Sequence, residues 1–324
     1  MAFETGVSTS PMDLLDKVRT FAAGVGWSVT TGGAGGDGPL GQVSMESAAD
    51  GVFIHAISEA ASHRIRSMIA TGYTGPSTQF YAHAGSANNS ATVSDHVHVR
   101  APNFGGTHVA YWLFGNASAP RYIHCVVEVT AGKFLHWSFG TISKFSAGAW
   151  TGGGYNTGMF WPDSVPTGSS WPFSHRPGTA NAKAYMRADG LLGAGTPGWK
   201  RDFGTVANGL SDTNSFTNWL MAGGLNSFTQ RSVLAPIYAK VEQSESGGVQ
   251  QNMILGVFPD VRMVSLDGRI PGEVLTVGSD DWYVFPVREK PASPATGSSA
   301  YSMTGSAPNH HFNLLGLAYK RTGT

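Results

Sequence analysis

Eleven histidines in a chain of 324 residues are the first place to look for chemistry, because imidazole both ligates metals and moves protons near neutral pH. The closest group is His96-Val97-His98, where alternation along a strand puts both rings on one face and makes a two-ligand start for a metal site. Spacing places no third ligand, so histidines at the surface or an interface are the leading reading. His310 and His311 are adjacent, which on a strand sends them to opposite faces. Asp280 with Asp281, and Asp260 with Asp267, are the carboxylates that could pair for glycoside hydrolysis. Such a pair needs a separation of roughly 5–9 Å, which sequence distance across turns does not set. Cys125 beside His124 does not make a nucleophile and its base, since strand neighbours project to opposite sides of a sheet, and Cys125 reads as core. The Gly-rich run Gly32 to Gly41 lacks the lysine and pattern of a phosphate cradle, and no G-x-S-x-G nucleophile elbow occurs. No residue is assigned to catalysis, to a cofactor or to a metal, and the chain is expected not to be an enzyme.

Composition points the same way. Lys+Arg and Asp+Glu are 21 each, so no global field steers the chain to nucleic acid or an anionic membrane. The single cysteine excludes an intrachain disulfide framework and a multi-Cys zinc site. No stretch reaches the length of a spanning helix, and the opening residues carry no export signal, which leads us to expect synthesis in a reducing cytosol and little meaning for the sequons at Asn88 and Asn116. Gly is 43 of 324 residues, aromatics are 11% and charged residues only 13%. That combination suits backbones that approach closely and aromatic surfaces covered by neighbouring chains.

The elements that position these residues are mostly strands. Ser10-Pro11-Met12-Asp13 carries an N-cap hydroxyl, a proline at the first helical position and an acid three residues after the cap. Leu14, Leu15, Val18, Phe21, Ala22 and Val25 follow at helical spacing, up to Gly24 and Gly26. From about Gly51 the texture becomes short Val, Ile, Tyr, Phe and Trp runs separated by turn residues, predicting strands near 51–57, 64–71, 78–83, 96–101, 108–115, 121–130 and 133–142. The hairpin around Ala131-Gly132 is the clearest, with Ile123, Cys125, Val127 and Val129 on one face of its first arm, expected to be the buried one. Residues 146–215 read as irregular, with Trp150, Tyr155, Phe160, Trp161, Trp171 and Phe173 unevenly spaced, and a short helix is expected near Trp219. Further strands are predicted at 232–242, 252–258, 261–266, 273–277, 281–287 and 312–320.

The expected fold is therefore mainly β: β-sandwich-like antiparallel sheets with an N-terminal helix and long aromatic and Gly-rich loops. Its parts are an N-terminal helix and Gly-rich arm (1–50), a first β-rich block (51–145), an aromatic and Gly-rich insertion or set of long loops (146–230), and a second β-rich block (231–324) that completes the same sandwich.

Several stretches resemble a family of tailed-bacteriophage virion proteins. Met1-Ala2-Phe3-Glu4-Thr5-Gly6, then Asp13 to Phe21 and Gly26-Trp27, is similar to the family's N-terminal helix. Arg64 to Tyr73 resembles an early strand and turn. Tyr111 to Asn116, Arg121 to Val129, Phe134 to Phe145 and Gly152 to Tyr155 resemble its central strands, and Gly278 to Pro286 and Gly316 to Arg321 its C-terminal ones. The matches keep the family's order over most of the chain, except from about 155 to 225. The resemblance implies a structural component of the tail or baseplate, or alternatively of the neck or collar, and carries over no catalytic residues. The expected partners are copies of itself in a ring and other tail, baseplate or neck proteins, with no nucleic acid and no membrane span. A host-surface glycan bound near Trp161 and Trp171 is the competing expectation. The N-terminal helix and the Gly32 to Gly41 arm are expected to touch a neighbour, and the expected location is the virion, after synthesis in the host cytoplasm.

Overall fold

A computed structural model describes residues 1–33, 35–145, 150–159, 173, 184–189, 199–200, 234–244, 250–266, 269–287 and 315–321. Helix α1 spans Pro11–Gly24, and the Ser10 hydroxyl accepts from the Asp13 amide at 3.1 Å. The Asp13 carboxylate reaches back to the Thr9 amide at 2.8 Å, so two otherwise orphaned N–H groups are satisfied. Ser10→Ala is expected to lower stability by about 1 kcal/mol in urea denaturation. Leu14, Leu15, Val18, Phe21 and Ala22 are buried within the chain itself.

Around the helix the fold is mainly β and antiparallel. Five strands in sequence order form one sheet: β2 (Ser28–Thr31), β3 (Gln42–Ser47), β4 (Val52–Glu59), β5 (Arg64–Ala70) and β6 (Val97–Arg100). The Gly-rich arm links β2 to β3 and folds back, with Asp37 Oδ2 accepting from the Ala60 amide at 2.5 Å. A seven-stranded sheet runs in the order β1 (Ala2–Gly6), β7 (Ala110–Asn116), β8 (Tyr122–Thr130), β9 (Lys133–Thr141), β11 (Thr151–Thr157), β12 (Ala184–Asp189) and β13 (Trp199–Lys200). A six-stranded sheet takes β10 (Ser143–Lys144), β15 (Gln250–Ser265), β18 (Leu315–Arg321), β17 (Asp280–Pro286) and β16 (Glu273–Val277) in that order, with β14 (Ala235–Ser244) also pairing β15.

The seven-stranded sheet is the middle layer. One face meets α1 and the five-stranded sheet: Trp27 lies edge-on to Phe139 at 5.6 Å, and Trp137 Nε1 donates to Asn156, which bonds Ser67 of β5. At Gly115 a Cβ would stand 2.8 Å from the Phe21 ring, so only a bare backbone allows the helix this close. The opposite face meets the six-stranded sheet through Phe114 stacked on Tyr319 at 5.3 Å and Tyr155 edge-on to Phe258 at 4.8 Å.

This layering corrects the expectation for β8. Tyr122, His124 and Val126, assigned to the open face, are fully buried, as are Ile123 and its companions on the other. Other expectations shift as well. Residues 78–83 form turns with Phe80 buried beneath them, and not a strand. The two strands expected at 252–258 and 261–266 are one, β15, which passes through Asp260 at φ +50°. Within the stretch read as irregular, β11 and β12 are regular strands, and Trp150, Tyr155 and Phe173 are core residues of this chain. β1 and β3 lie inside the segment read as helix and arm. The helix expected near Trp219 lies outside the described residues.

Candidate functional site

The outer face of the five-stranded sheet carries a polar cluster, covered by the connection 71–96 between β5 and β6. Glu59 on β4 grips two arginines of β5: Arg64 Nε at 2.5 Å, and Arg66 through its other oxygen. Burial by itself would raise the Glu59 carboxyl, but the hydrogen bonds from Arg66 and Arg64 outweigh it and hold the group below its ordinary value. Arg66 then donates to His96 Nδ1 at 3.0 Å, and His96 Nε2–H donates to the Ser90 carbonyl at 2.9 Å. Beside it, His98 Nε2–H donates to the Val93 carbonyl at 2.7 Å.

The pair His96 and His98 therefore sits inside the protein, 0% and 2% exposed, and not at a surface or interface. Burial holds both rings neutral, down to about 4 from 6.5. Both His96 nitrogens are engaged, so a metal there would have to displace Arg66 or Ser90. No three His, Cys, Asp or Glu side chains among the described residues gather where they could hold a metal. Adding zinc or a chelator is expected to leave the melting temperature unchanged, read by differential scanning fluorimetry.

A second histidine pair anchors the same connection. His55 and His83 stack at 3.8 Å between ring centres, with Tyr73 against both. His55 Nε2–H donates to the Gly72 carbonyl at 3.3 Å and its Nδ1 accepts from Ser44 at 2.8 Å. The Thr74 amide donates to His83 Nδ1 at 3.1 Å, and His83 Nε2 lies 2.6 Å from the Gln42 side-chain nitrogen. Desolvation lowers His55 to about 3, helped by the neighbouring His83, and lowers His83 to about 4.

The same device joins the two larger sheets. His124 of β8 donates to the Pro259 carbonyl at 2.9 Å and bonds Ser138 at 3.0 Å, while His136 of β9 donates to the Pro286 carbonyl at 2.9 Å and bonds the Tyr319 hydroxyl at 2.8 Å. Both rings are completely buried, and desolvation lowers them to about 3 and about 4. His108 repeats it on a loop, donating to Phe104 and bonding Ser8. Six imidazoles, among the described residues, thus donate a ring N–H to a backbone carbonyl, His124 and His136 across the interface between sheets. Sequence reasoning missed this role, because histidine spacing says nothing about which carbonyl a ring will meet.

The remaining candidates are dispersed. Cys125 faces the helix side of the middle sheet, away from its neighbour His124, and burial pushes its thiol up to about 12. Asp260 accepts from the Tyr122 hydroxyl at 2.6 Å, Asp280 pairs Lys320 at 2.8 Å, and Asp281 accepts from Thr276 at 2.7 Å. Asp280 and Asp281, neighbours on β17, therefore answer to different partners. Asp267, His310, His311, Phe160, Trp161, Trp171 and Trp219 lie outside the described residues.

On one side of the molecule β1 ends the seven-stranded sheet and β16 ends the six-stranded one. Phe3 of β1 stacks on Tyr283 of β17, the strand beside β16, at 5.0 Å, with the Arg321 guanidinium 5.3 Å from Phe3 and 5.8 Å from Tyr283. Neither edge has an outer strand partner among the described residues. β16 reads Glu-Val-Leu-Thr-Val, with no lysine or proline, and Val274 is 39% and Val277 48% exposed, next to Ile270 at 72%. A strand so exposed and so apolar is a template for another chain unless something covers it.

The chain matches no known protein-family model and no curated protein. Among the described residues no helix is long and apolar enough to cross a membrane.

Proposed function

We propose that this chain is a structural component of a tailed-phage virion, in the tail or baseplate, that acts by assembling with copies of itself and by binding neighbouring virion proteins. Its neck or collar is the alternative position. The observation that carries the reading is the side made by β1 and β16, whose apolar, unblunted edge suits burial against another polypeptide. The resemblance of Tyr111 to Asn116, Phe134 to Phe145 and Gly278 to Pro286 to virion proteins supports it. So does the position of the polar groups: the histidines and arginines described above tie strands and loops together, which is what a load-carrying subunit needs. A glycan-binding tail module is the second reading, favoured by a polar cleft at the other end of the middle sheet.

Placing lysine on an exposed edge is how native sheets prevent edge pairing. Val274→Lys with Val277→Lys is expected to convert the oligomer to single chains by light scattering, with an unchanged melting temperature because both side chains face solvent. A wild-type oligomer whose mass the double substitution leaves intact would remove this edge from the assembly.

A further inference from the structure

A cleft of about 730 Å³ opens beyond β9, where the turn at Asp50, the Ala119-Pro120 loop, β10, the start of β11 and the end of β12 converge. It lies toward the edge of the seven-stranded sheet opposite β1. Its size is that of a small-molecule site, and none of its lining residues is aromatic.

Two glycines shape it. The pairing of β11 with β12 slips between Gly152 and Tyr155, and Gly152 and Gly153 both take positive φ, +102° and +99°. A Cβ on Gly152 would stand 2.9 Å from Arg187 Cγ and 2.7 Å from the Arg187 carbonyl, and one on Gly153 would stand 2.9 Å from Lys144 Cε. The bare bulge therefore lets two cationic side chains lie along the strand, and bulges recur next to functional sites because they re-aim side chains in this way.

The lining charges are not all paired with one another. Arg187 holds Asp189 at 2.5 Å. Lys144 rests 4.7 Å from the Trp150 ring centre and has no carboxylate partner among the described residues. Behind the Pro120 wall, Arg121 donates to Ser47, which donates on to Asp50 at 2.5 Å, and Arg121 also lacks a carboxylate partner among them. Lys144 and Arg187 thus line the cleft with Asp50 and Asp189, two cations to two carboxylates; Arg187 is taken by Asp189 and Asp50 by Ser47, which leaves Lys144 as the lining cation with no carboxylate partner among the described residues.

We propose that this cleft binds a saccharide bearing a carboxylate. The Lys144 ammonium, without a carboxylate partner among the described residues, takes the acid group, while the carboxylates of Asp50 and Asp189 accept from the sugar hydroxyls and the hydroxyls of Ser143 and Thr151 accept from or donate to them. A phosphate dianion would meet two carboxylates without using them, and a flat apolar ligand would find no ring to stack on. The inference does not depend on assembly through β1 and β16.

The test is calorimetric titration of the full chain with trigalacturonic acid and with N-acetylneuraminic acid, against galactotriose and inorganic phosphate. Saturable binding of at least one acidic sugar is expected, with galactotriose and phosphate at least tenfold weaker. Lys144→Gln, an exposed position that leaves the fold intact, is expected to weaken that binding at least tenfold, and Arg187→Gln to weaken it too. Failure of both acidic sugars to bind overturns the proposal. So does binding that phosphate equals, or that survives Lys144→Gln in a protein whose melting temperature is unchanged.

Discussion

Between about pH 6.5 and pH 4 the fold is expected to lose most of its stability, because its buried histidines must take up protons to unfold. The rings of His124 and His136 are neutral in the folded chain down to about 3 and about 4, whereas an exposed imidazole titrates near 6.5. In that window the unfolded state holds more protons than the folded one, so stability rises with pH. It is fully present above about 6.5 and falls as the solution is acidified. Each of these two fully buried rings contributes roughly 3 kcal/mol across the window, and His55, His96 and His98 act in the same direction. Typical domains have only about 5–15 kcal/mol in total. Urea denaturation at half-unit pH steps reads the effect, and its slope counts the protons. His136→Gln, which keeps a side-chain donor for the Pro286 carbonyl, is expected to remove about one proton from that slope. A denaturation free energy that is flat from pH 7 to pH 5 contradicts this account of the histidines.

The second large effect is expected at Asn156. Its carboxamide is fully buried between the middle sheet and the five-stranded one, accepting from Trp137 Nε1 at 3.1 Å and donating to the Ser67 hydroxyl at 3.0 Å. Asn156→Ala leaves an indole N–H and a hydroxyl without partners in a dry interface, and opens a small void beside Trp137. Each orphaned group costs about 1–3 kcal/mol, so a total near 3–5 kcal/mol is expected by urea denaturation. Pairing the substitution with Ser67→Ala should recover part of that loss, since one orphan is removed. A single-substitution loss below about 1 kcal/mol would mean that water reaches the site.

How far these features could be read beforehand differs from element to element. The Ser10 cap, the apolar stripe of α1 and the Ala131-Gly132 hairpin depend on residues adjacent in the chain, and their signals survive into the structure. β8 shows where such reading stops. Tyr122, His124 and Glu128 alternate with aliphatics and look like a wet face, yet Tyr122 and His124 meet Asp260 and Pro259, more than a hundred residues away. A polar residue whose partner comes from another sheet carries no local mark of being buried. β11 was hidden for a different reason: Gly152, Gly153 and Gly154 erase the period-two pattern because the bulge and the close approach of Val52 and Ile69 require missing side chains. The two-valine edge of β16 was visible as a strand, but that it ends a sheet follows only from the order of its neighbours.

The claim on which the functional account rests is that β1 and β16 are covered by another polypeptide in a virus particle. Electron cryomicroscopy of intact virions carrying this chain tests it most directly. The account predicts copies arranged in a closed ring at the tail or neck, with Phe3, Val274 and Val277 of each copy buried against its neighbour. Purified, infectious particles that lack the chain, or that contain it with this edge facing solvent, would contradict it.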